Sequence, residues 1–112
     1  MKNRIYFFTG TGNSLKVAED IAKVLPNSEL VAIHRGMDTE IPHDFERIGF
    51  VFPVYFWGLP AMVADFLRNA HFPEHGSTYF FAVATYLGIA GNAIRMTGTL
   101  LREKGIRLNY SA

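Results

Sequence analysis

The sequence predicts an α/β fold in which helices pack on both faces of a parallel β-sheet. Short, nearly continuous apolar runs alternate along the chain with segments whose apolar residues recur at helical spacing. Such runs are typical of strands that are buried on both faces. The connection at residues 36–47 has roughly the dozen residues that a parallel crossover needs. Strands that alternate with crossovers indicate a parallel sheet.

Five strands are expected, at residues 4–8, 29–35, 48–56, 78–86 and from residue 106 onward. The third has the strongest apolar pattern, and Pro53 is expected to mark its end because proline lacks the N–H that a central strand needs. The stretch at residues 36–47 is polar and broken by Pro42, so it is predicted as a loop with at most one helical turn.

Three helices are expected between the strands, at residues 14–25, 59–70 and 92–104. In the first, Leu15, Ala18 and Ile21 lie on one face, and Pro26 ends the helix. Pro60 suits the first turn of the second helix, because its missing N–H would be unpaired there anyway. Gly105 follows the third helix where a left-handed cap residue belongs.

Composition predicts one globular domain spanning residues 1–112. The net charge of +1 gives no field that would favour nucleic acid. The absence of cysteine excludes disulfides, zinc–thiolate sites and iron–sulfur ligation in this chain, and it is typical of a cytoplasmic protein. The longest apolar run, residues 50–59, is interrupted by Pro53 and Gly58, so no membrane span is expected.

No catalytic or metal site is assigned from the sequence. No nucleophile–base–acid set or carboxylate pair stands out. His71 and His75 are four residues apart, but Pro73 and Gly76 predict a loop there, so both histidines are expected at the surface. His34 is expected at a solvated strand end.

The segment between the first strand and the first helix is the strongest functional signal. It reads Thr9, Gly10, Thr11, Gly12, Asn13 and Ser14. The phosphate-binding loop of nucleoside triphosphatases would need a lysine after Gly12, and this sequence has none. A dinucleotide-binding loop would need a glycine where this sequence has Leu15. Alternating hydroxyls and glycines, with backbone N–H groups and the helix dipole, instead suit a phosphate monoester. The alternative is a plain capped helix start, with Asn13 or Ser14 as the N-cap.

The same segment resembles the phosphate loop of flavodoxins, [ST]-x-T-G-[NT]-[ST], at each position. "PVYFWGLP" at residues 53–60 and "TYLGIAGNA" at residues 85–93 resemble the flavodoxin-like N-terminal half of bacterial flavodoxin–ferredoxin fusion proteins. The resemblance implies a doubly wound sheet of five strands in the order 2-1-3-4-5. It also implies FMN bound at the carboxyl ends of the strands, the edge where open α/β sheets bind ligands.

The resemblance assigns the flavin contacts to two further loops. The first comprises Pro53, Val54, Tyr55, Phe56, Trp57 and Gly58, and the second comprises Thr85, Tyr86, Gly88 and Gly91. Tyr55 and Trp57 are the expected ring contacts. The Trp57–Gly58 peptide is expected to turn over on flavin reduction, which glycine makes inexpensive. Neither loop contains an acid, so the second reduction potential is expected to be less negative than in acid-lined relatives.

The resemblance implies an FMN-binding electron-transfer protein whose partner is another redox protein, for example a ferredoxin domain. Two alternatives stay open: a flavin-dependent reductase of a small molecule, and a binding module that kept the fold and lost the cofactor. Flavodoxins also have a last helix beside the first one, whereas this sequence stops in the fifth strand. We therefore expect an uncovered apolar face, for which three explanations stay open: a fragment of a longer protein, which is favoured, a homodimer through that face, or another segment that covers it.

Overall fold

Strands and helices alternate along the chain. The computed structural model describes residues 2–8, 13–41, 45–53, 60–72, 78–85, 91–102, 106 and 108–111. The elements are β1 (Lys2–Phe7), α1 (Asn13–Val24), β2 (Ser28–Ala32), β3 (Phe45–Pro53), α2 (Ala61–Asn69), β4 (Tyr79–Thr85), α3 (Gly91–Arg102) and β5 (Tyr110–Ser111).

The strands form one parallel sheet in the order β2-β1-β3-β4-β5. The predicted α/β class and the order of the first four strands are confirmed. The apolar runs of β3, β4 and the second half of β1 are buried because a core packs on each face of the sheet.

The strand predicted from residue 106 onward begins only at Tyr110. Asn109, the residue before β5, bonds to β4 through both its main chain and its side chain. Its backbone N–H donates to the carbonyl of Phe80 over 2.8 Å, and its side-chain Oδ1 accepts from the Phe80 N–H over 2.8 Å. The asparagine side chain thus takes a ladder hydrogen bond that the next main chain would otherwise make, and regular pairing starts one residue later.

The third strand, Phe45–Pro53, begins three residues before the predicted start, and residues 54–56 of the predicted strand lie outside the described residues. The extension carries the charged pair Glu46 and Arg47, which the sequence pattern excluded from the strand. Their side chains bond to each other over 2.8 Å at a half-exposed position, and Thr78 donates to the Phe45 carbonyl over 3.0 Å. Partnered polar side chains therefore allow the strand to start earlier than its apolar run.

The larger core lies between the sheet and the face that α2 covers. Its aromatic rings contact one another: Tyr6 and Phe66 have centroids 4.9 Å apart, and Phe72 meets Phe80 edge-on at 5.7 Å. Tyr6 is 1% exposed, and its hydroxyl accepts from the Arg4 guanidinium over 3.0 Å. Burial raises the pKa of the Tyr6 phenol, and the hydrogen bond from Arg4 partly opposes that rise.

A smaller core lies under α1 on the other face, and it includes Ile5, Ala18, Val51 and Phe81. The Phe81 ring lies directly over Gly49 of β3, where an added Cβ would be 2.1 Å from the ring. Glycine at this position is therefore what allows the ring to lie flat on the sheet.

Beside this smaller core is an apolar groove of about 580 Å³, lined by Val17, Ile21, Val24, Tyr79, Phe81 and Tyr110 among others. Val24, Tyr79 and Tyr110 are the large apolar side chains that the described part of the chain exposes most. None of the described helices has the length and apolar character needed to span a membrane.

Candidate functional site

Segments from all three predicted loops meet at the carboxyl edge of the sheet. Pro53, the last residue of β3, stands opposite Thr85, the last residue of β4, in the sheet register. The Thr85 hydroxyl in turn lies 2.8 Å from the hydroxyl of Ser14, in the first turn of α1. Ser14, Pro53 and Thr85 were predicted for three different loops, and the fold brings them together.

The remaining predicted site residues divide into two groups. Asn13 and Gly91 are the first residues of α1 and α3. The others lie outside the described residues: Thr9, Gly10, Thr11, Gly12, Val54, Tyr55, Phe56, Trp57, Gly58, Tyr86 and Gly88. Their contacts with a cofactor therefore stay predictions.

The N-terminus of α1 points to the chemistry of the site. The helix begins at Asn13, so Asn13 and Ser14 lie in its first turn; residues 9–12 lie outside the described residues, so the alternative of a plain capped helix start stays open. Backbone N–H groups of a first turn have no partner within their helix, and the dipole is positive there. The first turn of α1 carries no acidic residue. This helix end is therefore suited to an anion.

Ser14 is the buried polar group of this corner, with 1% of its surface exposed. Each hydroxyl has one proton to donate, so the pair has two arrangements. When Thr85 donates to the Phe52 carbonyl, 3.4 Å away, Ser14 donates to Thr85. When an anion accepts the Ser14 proton, Thr85 donates to Ser14 instead. The pair is thus satisfied with or without an anion, and its donor set fits the phosphate ester of FMN.

No sequence pattern predicts the contact between Ser14 and Thr85. Each residue was predicted for the site from its own loop, but they are 71 positions apart and neither has a pattern that names the other. The contact follows from topology: β1, β3 and β4 are adjacent in the sheet, so the start of α1 and the end of β4 approach each other.

The described part of the site is electrically neutral, as the interpretation of a phosphate loop without basic residues requires. Lys16, the nearest cation in sequence, has an exposed side chain whose Nζ lies 4.0 Å from Asp20. Among the described residues, no group of three or more His, Asp or Glu side chains is placed to hold a metal ion. His34 and His71 are exposed, as predicted.

Comparison with known proteins agrees with this geometry. A sequence model of the flavodoxin domain family matches residues 4–100. No curated protein matches the chain in sequence.

Solved structures of flavoproteins share the fold. A flavoprotein structure from Bacteroides uniformis has a TM-score of 0.75 and 14% identity, over 98% of this chain and 87% of that one. A flavoprotein in complex with FMN from Lactobacillus acidophilus has a TM-score of 0.69 and 16% identity, over 99% and 91%. The apo form of an NADH:FMN oxidoreductase has a TM-score of 0.69 and 12% identity, over 99% and 72%.

Proposed function

Because the chain belongs to the flavodoxin domain family, we propose that it binds FMN at the carboxyl edge of its sheet and acts as an electron carrier. The resemblance to that family is confirmed by the family match. The observation that carries the proposal is the contact of Ser14 with Thr85 beside Pro53, because it joins three predicted FMN loops at one corner.

The residues of this corner have separate tasks in the proposal. The first turn of α1 offers unpaired N–H groups and its dipole to the phosphate. Ser14 donates its proton to the phosphate and accepts from Thr85, which fixes the hydroxyl in place. Bound FMN supplies the one-electron chemistry, and the protein supplies placement and electrostatics.

The test compares FMN with riboflavin, which has the same ring and lacks the phosphate. Calorimetry is expected to give heat and saturation with FMN, and binding at least about tenfold weaker with riboflavin, since about 1.4 kcal/mol corresponds to a factor of ten. Equal affinity for both would contradict the phosphate site. No binding of either would favour the alternative of a module that has lost its cofactor.

A reductase of a small molecule is the second candidate function. It is supported by the similarity in fold to an NADH:FMN oxidoreductase; at 12% identity that similarity concerns the fold and not the activity. Anaerobic addition of NADH to the FMN-loaded protein distinguishes the two candidates. A carrier keeps its flavin absorbance until a partner protein is added, whereas a reductase is bleached by NADH directly.

Several finer points stay proposals. These are a redox partner protein such as a ferredoxin domain, a cytoplasmic location, a full fifth strand, and a homodimer. The apolar groove beside α1 supports the homodimer, since Val24 is 79% exposed and Tyr110 is 53% exposed. Light scattering at two concentrations measures the molar mass and tests the homodimer.

A further inference from the structure

A pocket of about 670 Å³ lies between α2 and the connection that follows β2, and we call it the crossover pocket. Its volume is within the usual range for small-molecule sites, about 300–1,000 Å³. No residue of the predicted FMN site lines it.

The crossover pocket exists because its outer wall is a loop held at both ends. At one end, the Ile33 N–H donates to the Phe7 carbonyl over 2.8 Å. At the other, the Ile41 N–H donates to the His71 carbonyl over 2.9 Å, and the His71 N–H donates to the Thr39 carbonyl over 2.8 Å. Gly36, with φ +79°, makes the turn between these anchors. The wall is therefore tied to β1 and to the segment after α2.

The lining of the pocket includes both apolar side chains and a cation. Phe8, Met37 and Met62 are partly buried against the larger core and line the pocket. Flexible methionines beside an aromatic ring adapt to flat ligands of different outline. Arg35 also lines the pocket and is exposed, and among the described residues no side chain forms an ion pair with it.

The carboxylates near the pocket are already engaged. Asp65 lines it and lies 3.3 Å from Arg68 of its own helix. On the loop, Asp38 accepts from the Glu40 N–H over 2.9 Å, and Glu40 pairs with His71 over 3.0 Å. Among the described residues these carboxylates have other partners, and none of them pairs with Arg35.

The crossover pocket adjoins the proposed FMN site. Phe8 directly precedes the predicted phosphate loop, and Pro60 directly follows the segment that contains the predicted aromatic flavin loop. The pocket is therefore lined by residues that flank two of the three predicted loops in sequence.

We propose that the crossover pocket binds a small aromatic anion, whose charged group pairs with Arg35 and whose ring lies against Phe8, Met37 and Met62. The ligand class goes beyond the proposed electron-carrier function, and binding in the pocket is measurable apart from any redox activity.

The test uses protein labelled with ¹³C in its methionine methyl groups, with FMN added. It is titrated with 2-naphthoate and, separately, with the neutral analogue 2-naphthamide. We expect saturable shifts of the Met37 and Met62 methyl signals, with 2-naphthoate bound about fivefold more tightly, the upper range for an exposed ion pair. Arg35→Gln is expected to remove this preference and leave the amide's affinity unchanged. Arg95→Gln, at an exposed position on α3, is the matched control and is expected to change neither affinity.

Three results would overturn the proposal: no saturable shift at Met37 and Met62, equal affinity for the acid and the amide, or an acid preference that survives in Arg35→Gln. FMN binding is measured separately by absorbance, and the titration is repeated without FMN. Methyl shifts without FMN binding would contradict the proposed function alone, and FMN binding without methyl shifts would contradict the pocket alone.

Discussion

The hydroxyl oxygens of Ser14 and Thr85 lie 2.8 Å apart and join the first turn of α1 to the end of β4. Thr85 also faces the Phe52 carbonyl at 3.4 Å. Ser14 is buried and Thr85 is half-buried. One hydroxyl proton is used between the two side chains, so one proton is left, either for the Phe52 carbonyl or for an acceptor in front of the helix. The orientation of the Ser14 hydroxyl toward an anion at the start of α1 therefore depends on Thr85 of β4.

Thr85→Val is expected to weaken FMN binding about tenfold, because Ser14 loses the donor that supports it when it faces the phosphate. Fluorescence titration of FMN measures this. Valine keeps the shape of threonine, so the cost in the free energy of unfolding is expected to be about 1 kcal/mol.

Thr78→Val is the matched control, because Thr78 lies just before the opposite end of the same strand and donates to the β3 carbonyl of Phe45 over 3.0 Å. It is expected to cost similar stability and leave FMN affinity unchanged. Equal losses of FMN affinity in both variants would mean that general stability, not the hydroxyl pair, sets binding.

Gly49→Ala is expected to destabilise the fold by about 1–3 kcal/mol, because the new Cβ would overlap the ring of Phe81 and force it out of the smaller core. Gly98→Ala in α3 is the control, since its Cβ would meet only Leu108 at an ordinary 3.8 Å. Alanine favours helix, so this variant is expected to gain up to about 1 kcal/mol. Urea unfolding measures both, and an unchanged midpoint for Gly49→Ala would contradict the packing described.

Tyr6→Phe is expected to change how stability depends on alkaline pH. The folded pKa of Tyr6 lies above the ordinary 10.0, because burial disfavours the phenolate. The folded state thus binds the proton more tightly than the unfolded state. The resulting stability is complete below pH 10.0 and is lost as pH rises through the folded pKa.

The phenylalanine variant lacks this loss, so its stability is expected to fall less steeply above pH 10.0. Below that pH it is expected to be about 1 kcal/mol less stable, because the hydrogen bond from Arg4 is gone. Denaturant midpoints from pH 7 to 11 measure both effects. Tyr79→Phe, at an exposed tyrosine, is the control, and the same flattening there would contradict the assignment to Tyr6.

The second reduction potential of bound FMN is expected to be less negative than in acid-lined flavodoxins, because residues 47–64 and 75–102 contain no acid. Potentiometric titration measures it. Ala61→Glu adds an acid beside the predicted flavin loop and is expected to lower this potential. Asn69→Glu adds the same charge at the far end of α2 and is expected to have little effect. A strongly negative potential in the unaltered protein would contradict the prediction.

Sequence patterns predicted the parts of the fold that local physics determines. The alternation of apolar runs and helical spacing located β1 to β4 and the three helices of the described residues. The early start of β3 was missed because Glu46 and Arg47 look like loop residues until their mutual pairing is known. The late start of β5 was missed because it depends on Asn109 bonding to a strand nearly thirty positions away.

In the candidate site, too, local sequence patterns predicted individual residues but not the contacts between distant parts of the chain. Ser14, Pro53 and Thr85 were predicted singly from their loops, whereas their meeting required the strand order. The crossover pocket had no signature in the sequence, because Arg35 and Met37 read as ordinary loop residues and the hydrogen bonds that hold the loop in place are made by main chain.

Asn109 also has a consequence for how the sheet ends. Because one residue takes both the N–H and the carbonyl of Phe80, a foreign strand finds no free main-chain groups on that side of Phe80. A shift of the following segment by two residues would break both bonds at once, so the main chain and the side chain of Asn109 both help to hold Tyr110 in register with Phe81. We therefore expect Asn109 to oppose register slippage of β5 and edge-to-edge aggregation at Phe80.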